Sequence, residues 1–364
     1  MNRYLQRIIR NVLVILTLVF LVGKMALGEQ TIVFPLIDRP GDSSYCQYAQ
    51  VAFDRATSSI DLLLADARLD DNPLWESVLA AKSRGVQVRV LVDESDWAPT
   101  ITERNRVTVN FLNDHDIEAR FDDPTITTHA KLAVIDRETV ILGSSNWNKY
   151  SFREQEQTNL LVTNGDVGEV FSSYFDRLWM DKLPCHGVEF DLSSFPAEGS
   201  WIVPIPDTCD TANYLKILLR LLEQSEHSIH VVMYRASYYP DYQDGSSNKI
   251  LHALISAASR GLEVKVLLDD CSFYPESAEA NLQAALYLYL HGIEVRFDDP
   301  GMTTHAKLVI VDGNSVILGS TNWNYYSLEK NNEVNIAVIN LPAVVAPYEQ
   351  LFRLLWKDGR AIGN

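Results

Sequence analysis

Two stretches of this chain carry the same set of chemically useful residues: THAKLAVIDRETVILGSSNW from Thr128 and THAKLVIVDGNSVILGSTNW from Thr304, 176 positions apart. Each reads His-x-Lys, four residues, Asp, six residues, Gly-Ser-x-Asn. A pair of imidazoles suits displacement at phosphorus. One neutral ring attacks in line, while the other, protonated, gives its proton to the departing alcohol. In an extended segment, residues two apart face the same way. His129 with Lys131, and His305 with Lys307, therefore aim an imidazole and an ammonium at one place, where the ammonium offsets charge on the non-bridging oxygens. Asn146 and Asn322, on the turns after the Gly-Ser pairs, can add amide donors to those oxygens. Ser144 and Ser320 either hydrogen-bond the substrate or shape the loop. Asp136 and Asp312 complete the catalytic signature, but they fall at hairpin turns, a place better suited to fixing the turn or pairing a basic group than to touching phosphate.

The duplication reaches beyond the signature. Between residues 117–147 and 293–323, 21 of 31 columns are identical without a gap, which marks an internal repeat. The register of 176 holds back to Arg84-Gly85 against Arg260-Gly261, whereas Ser59-Ile60 against Ser228-Ile229 is offset by 169. The second copy thus carries seven extra residues, most simply in the Tyr-, Gly- and Pro-containing stretch 237–247, which reads as an enlarged loop.

Elements of alternating type must hold these residues. In the first half, residues 60–65, 86–92 and 118–121 read as strands, with a helix starting at Asn72-Pro73 and another ending near Asn113. The second half repeats the order with strands at 229–234 and 262–268 and helices at 249–260 and 278–291. After each His-x-Lys a strand, a tight turn and a second strand follow, at 132–135 and 140–142 and again at 308–311 and 316–318. This is an α/β layer pattern in two similar halves. Its expected limits are 29–180 and 211–364, joined by a Pro-, Ser- and Cys-rich linker at 181–210. Trp147 and Trp323 read as core packing, with a lipid or base contact as the alternative, and Asp93 and Asp269 as structural strand ends. His115, His186, His227, His230, His252 and His291 lack a matching Lys and Asn and read as structural.

The doubled His-Lys-Asp signature, within a repeat that covers nearly the whole chain after residue 40, resembles that of the phospholipase D superfamily. The resemblance implies a covalent phosphohistidine intermediate and two pseudo-symmetric α/β/α halves with mixed sheets. It places the active site at their interface and requires no metal or other cofactor. By analogy with two-copy members, His129 would be the nucleophile and His305 the general acid, later the base that activates water. It further implies a carboxylate some 28 residues after each histidine, holding the ring's other nitrogen. Glu333 stands at that position in the second half and Gln157 in the first, with Glu156 beside it as a substitute. Taken within each half, a neutral amide leaves His129 free to attack, and Glu333 keeps His305 protonated.

Charge and address bear on the substrate. The chain has 31 basic and 48 acidic residues, a formal net charge of −17, and no basic run of the kind that displaces counterions from a nucleic acid. Residues 1–28 combine Arg3, Arg7 and Arg10 with an apolar run from Val12 to Val22, which reads as a signal peptide or an uncleaved amino-terminal anchor. Both readings put the body outside the cytoplasm, secreted or periplasmic, beside a membrane. In such a compartment Cys46, Cys185, Cys209 and Cys271 permit up to two disulfides, Cys185 and Cys209 bracketing the linker; buried free thiols are the alternative. The expectation is a monomeric phosphodiesterase that hydrolyses the head-group ester of a phosphatidylcholine-like phospholipid at a membrane surface. Tyr238, Tyr239 and Tyr242 in the enlarged loop would then touch the interface or cradle a cationic head group, or form an ordinary loop. The runner-up is an exported metal-independent nuclease, because Gly-Ser-x-Asn-Trp and Asn-Asn-Glu-Val resemble the small bacterial nuclease and mitochondrial phospholipase-like branch. A cardiolipin-synthase-like phosphatidyl transfer uses the same intermediate. An idle scaffold is disfavoured by complete His, Lys and Asn sets in both halves.

Overall fold

The computed structural model describes residues 31–94, 98–180, 187–192 and 199–362. The leader or anchor expected over 1–28, together with Cys185 and His186, lies outside them.

Runs of β-branched and aliphatic residues build two mixed sheets with the same plan. The first half contributes β1 (Ile32–Asp38), β2 (Ser59–Leu64), β3 (Gln87–Val92), β4 (Glu118–Phe121), β5 (Lys131–Ile135), β6 (Thr139–Gly143) and β7 (Gln155–Thr163), in spatial order β1-β7-β6-β5-β2-β3-β4. The second contributes β8 (Trp201–Asp207), β9 (Ser228–Met233), β10 (Glu263–Leu268), β11 (Glu294–Phe297), β13 (Lys307–Val311), β14 (Ser315–Gly319) and β15 (Glu333–Ile339), with the pair β12 (Thr303–Thr304) set apart and β16 (Arg360–Ala361) on the edge beside β11. Its order, β11-β10-β9-β13-β14-β15-β8, matches the first strand for strand. In each half three strands run parallel, β2-β3-β4 and β9-β10-β11, and the antiparallel hairpin of the signature joins them at β2 or β9.

Strand β8 occupies part of the segment expected to be linker. It pairs with β15 from Trp201 to Asp207 and is the counterpart of β1, so the second sheet starts before residue 211. Pro204 and Pro206 interrupt the strand signal there. They are tolerated because β8 is an edge strand, where a missing N–H leaves no ladder bond unmade. Cys209, just after it, is disulfide-bonded, while Cys46 and Cys271 are free and buried.

Three apolar cores give five layers. The helices Ser44–Arg55, Leu74–Ser83 and Pro99–Asn113 cover the outer face of the first sheet, with Phe53, Leu62, Val90 and Trp147 among the buried residues. The helices Asn213–Gln224, Ser246–Ser259 and Pro275–Leu290 cover the second in the same way. The middle core mixes residues of both halves, including Leu132, Leu142, Phe171 and Phe175 with Leu308, Leu318, Val345 and Phe352, and it holds the helices Gly165–Met180 and Pro342–Asp358. Each of these two helices sends a tyrosine hydroxyl to the other half's sheet: Tyr174 donates to the Asp207 carbonyl at 2.9 Å, and Tyr348 donates to the Asn159 carbonyl. Burying one continuous apolar face between the sheets fixes how the halves sit on each other.

Trp147 and Trp323 are core residues, fully buried, and their indole N–H groups donate to the hydroxyls of Tyr45 and Tyr214 at 2.9 and 3.0 Å. The two signature aspartates are tools of the fold and lie away from the chemistry. Asp136 accepts the backbone N–H groups of Thr57, Ser58 and Ser59, and Asp312 those of Glu226, His227 and Ser228. Each clamps a hairpin turn to the start of the neighbouring strand, which corrects their place in the catalytic set.

Candidate active site

The backbone brings the two signatures together by crossing from one half to the other. The segment before Lys307 forms β12, which pairs parallel with Gln155 and Glu156 of β7, and the His305 N–H donates to the Glu156 carbonyl at 2.9 Å. Its mate is a bridge between Thr128 and Asn332, where the His129 N–H donates to the Asn332 carbonyl at 2.9 Å. Each histidine is therefore stitched to the other half, one residue before that half's Gln157 or Glu333. Asp93 accepts the Thr128 N–H at 2.7 Å and Asp269 accepts the Thr304 N–H, so these strand-end carboxylates hold the approach to both histidines.

This crossing corrects the in-half pairing of rings and orienting groups. Glu333 takes His129, with its carboxylate oxygens 3.1 and 3.2 Å from Nδ1. Gln157 takes His305, its Oε1 being 3.2 Å from Nδ1, which also lies 3.0 Å from the Ser144 carbonyl. All these partners are acceptors, so both rings carry hydrogen on Nδ1 and keep Nε2 for chemistry. Glu156 is no substitute for either, because it points away and pairs with Arg39 at 3.0 Å. Successive strand residues face opposite sides, which separates Glu156 from Gln157.

The serines support these partners. Ser144 Oγ donates to Gln157 Oε1 at 2.6 Å, and Ser320 Oγ donates to Glu333 Oε2. Both are fully buried. They fix the groups that orient the rings, the loop-shaping role of the two readings. Gly143 and Gly319 allow β6 and β14 to press on the neighbouring strand: a Cβ there would lie 2.5 Å from Asn159 Cα and 2.3 Å from the Val334 carbonyl oxygen. The side-chain Oδ1 atoms of Asn146 and Asn322 are buried and have no hydrogen-bond partner, so the fold leaves these amide oxygens unused.

Lys131 and Lys307 are about 1% exposed, and each Nζ donates to the carbonyl of its own histidine, for Lys307 at 2.7 Å. Burial holds Lys131 at about 8 against the pull of Glu333, Asp93 and Asp66. Burial and then the charge of Lys131 push Lys307 well below the usual ammonium value. Burial and Lys131 also lower His129, opposed by Glu333. His305 is pushed further down, by burial first and then by Lys307, Lys131 and His129. Groups from both halves thus perturb one another in a single concentrated positive field, which the carboxylates of Glu333, Asp93 and Asp269 offset only in part. Glu333 stays ionised despite its burial because His129 and Lys131 offset the cost.

Some site residues carry no mark in the signature itself. Tyr234, at the end of β9, meets the His305 ring edge-on with centroids 4.6 Å apart, and its own centroid is 4.7 Å from Lys307 Nζ. Behind the lysines, Asp298 is pushed up to about 8 by burial and Asp269, and Asp122 is raised by burial and Asp93. The repeated Phe-Asp-Asp-Pro at 121–124 and 297–300 was the available signal for that carboxylate pair. The enlarged loop is mostly engaged in packing: Tyr238 stacks on Tyr287 and the Tyr239 hydroxyl accepts the Tyr325 N–H, leaving Tyr242 exposed. Among the described residues no His, Cys, Asp and Glu group could hold a metal ion, and no helix is long and apolar enough to cross a membrane.

Comparison with known proteins gives the same architecture. The chain matches the family described as cardiolipin synthase, PLD-like domain, over residues 51–179 and 218–356. It is 28% identical over 156 residues to the mitochondrial cardiolipin hydrolase of Xenopus tropicalis, covering 43% of this chain and 65% of that one. It is 23% identical over 293 residues to cardiolipin synthase B of Shigella flexneri, covering 73% and 66%. The chain spans less than two thirds of the length of the first of these relatives. Among solved structures, phosphatidylserine synthase of Haemophilus influenzae shares the fold with a TM-score of 0.72 at 13% identity, over 90% of this chain and 87% of that one. Two matched strand orders, two His-x-Lys segments facing one field and a family match over both halves make this chain a member of the phospholipase D superfamily, in its cardiolipin synthase PLD-like branch.

Proposed function

We propose that the protein is a phospholipase-D-type phosphodiesterase that hydrolyses a phospholipid head-group ester through a phosphohistidine at His129. The pairing of His129 Nδ1 with the Glu333 carboxylate carries this reading. A carboxylate behind the ring keeps Nε2 basic and stabilises the cationic ring once phosphorus is attached. In the first step the His129 Nε2–P bond forms, the bond from phosphorus to the head-group oxygen breaks, and His305 Nε2–H gives its proton to that oxygen. In the second, His305 takes a proton from water, the new O–P bond forms and the N–P bond breaks, releasing phosphatidate. His305, backed by neutral acceptors only, gives up its proton readily, and an entering phosphate anion restores it. Lys131 and Lys307 become fully charged against the same anion. Asn146 and Asn322 turn their amides to its free oxygens.

Names of the relatives and the acidity of the chain favour lipid over nucleic acid. Phosphatidyl transfer to a lipid alcohol is the second reading, favoured by the match to cardiolipin synthase B. Purified protein should be offered labelled phospholipid vesicles and single-stranded DNA in parallel, with His129→Ala as control. Release of head group with intact DNA is expected. Cut DNA with intact lipid would overturn the lipid reading, and a longer-headed lipid in place of phosphatidate would select transfer.

A further inference from the structure

The halves differ most sharply one residue beyond Tyr234. In the first half Ala67 bridges Trp147, and the Trp147 N–H donates to the Asp66 carbonyl; in the second Ala236 bridges Trp323, and the Trp323 N–H donates to the Arg235 carbonyl. Arg235 is thus the structural counterpart of Asp66. Asp66 is buried and saturated: Arg68, Arg104 and the amide of Asn148 all bond its carboxylate, at 2.9, 3.3 and 3.0 Å. It also lies close enough to the centre for its charge to act on Lys131.

At the positions of Arg68 and Arg104 the second half has Ser237 and Ala280, anchored by the matching bonds Ser237 N–H to Trp323 carbonyl and Ala236 N–H to Asn281 Oδ1. Reversing the charge at 235 therefore came with loss of the residues that balanced it. No ion pair joins Arg235 to a described residue, and its Nε is buried without a hydrogen-bond partner. Arg235 is half-buried, and its Nε–H, held out of water with no acceptor, costs stability unless a ligand satisfies it. Its rigid fork is suited to phosphate.

We propose that Arg235 is a specificity-determining residue that binds an anionic group, a second phosphate in particular, on the departing alcohol of the substrate. The side follows from the repeat, for this inference rests on His305 being the acid that protonates the departing oxygen: Asp66 acts on Lys131 in the first half, so its counterpart Arg235 belongs to the Lys307 and His305 side of the centre. The first half, with a neutralised Asp66, offers no equivalent on the side that keeps the diacylglycerol. The head group favoured is then a phosphate ester, in place of choline.

Two measurements test this. Calorimetric titration with glycerol 1,3-bisphosphate and with glycerol 1-phosphate should give at least about tenfold tighter binding of the bisphosphate. Arg235→Gln should bring the two within about twofold, and Arg235→Lys should keep part of the preference. In mixed micelles, the ratio of kcat/KM for phosphatidylglycerol phosphate over phosphatidylcholine should fall about tenfold in Arg235→Gln, with melting temperature retained. Equal binding of the two glycerol phosphates by the wild type would overturn the proposal, as would parallel loss on both lipids in Arg235→Gln. A bisphosphate preference lost in Arg235→Gln without turnover of either lipid would uphold Arg235 and remove the phospholipid reading instead.

Discussion

The Nδ1 atom of His129 lies 3.1 Å from Oε2 of Glu333, a residue 204 positions later in the chain and in the other half. Neither half orients its own signature histidine. Each supplies a histidine and the group that orients its partner's histidine, so docking of the halves and assembly of the site are one event.

Exchanging the orienting groups should separate the two roles. Glu333→Gln removes the carboxylate that keeps His129 nucleophilic and is expected to lower kcat/KM by roughly 100-fold, within the range for general catalysis by a positioned group. Unchanged melting with that loss supports the role; unchanged kcat/KM removes it.

The pH profile follows from His305. Its pKa is held well below the ordinary imidazole value by burial and neighbouring cations, so in the free enzyme its protonated form is lost as pH rises through that low value. The profile of kcat/KM should therefore fall on the alkaline side starting below about 6.5, the unperturbed histidine value. Gln157→Glu adds a negative charge at Nδ1 and should move that limb to higher pH. A limb that stays in place would deny His305 the acid role.

Asp136 gives a prediction about stability. Burial alone would raise its pKa, but the N–H groups of Ser59, Ser58 and Thr57 outweigh that and bring it to about 2. A depressed folded value means stabilisation that is present above the unfolded value and lost as pH falls through about 2. Asp136→Ala should destabilise the protein by about 2 kcal/mol at neutral pH, for lost charged hydrogen bonds. Thermal melting checks this, and the wild-type advantage should shrink between about pH 4 and 2.

His230 should act with the opposite sign. Burial lowers its pKa, but Glu349 and Glu263, each 2.9 Å away, raise it above the usual value overall. Its contribution is complete below the unfolded value and is lost as pH rises through the folded one. The melting temperature of the wild type should decline above about pH 6.5 relative to His230→Gln, in which that slope is absent. Parallel curves would contradict it.

Much of this architecture was legible in the repeat itself. The strands β3, β4 and β5 and the hairpins after each lysine lie where alternation and turn residues place them, because they sit where the register of 176 holds, and β2 was legible from its own apolar run. The pairs β1 with β7 and β8 with β15, and the helices Gly165–Met180 and Pro342–Asp358, lie outside it, and β8 is further hidden by two prolines. The signature histidines and lysines that the structure brings to one field were readable from spacing. The crossing of Glu333 to His129 was not, since spacing along one half says nothing of which ring a side chain meets once two halves are packed face to face. Arg235 escaped for a related reason: its meaning lies in comparison with Asp66 across an offset of 169, outside the window where the register is 176.

The division of labour between the two rings is tested most directly with a phosphatidyl ester of p-nitrophenol, whose departing group leaves without a proton. In His305→Ala a burst of nitrophenolate is expected, with one equivalent of phosphatidyl adduct trapped on His129 and found by mass spectrometry after acid-free quenching. His129→Ala should give neither burst nor adduct. A burst in His129→Ala with the adduct on His305, or no adduct in either variant, would contradict attack by His129.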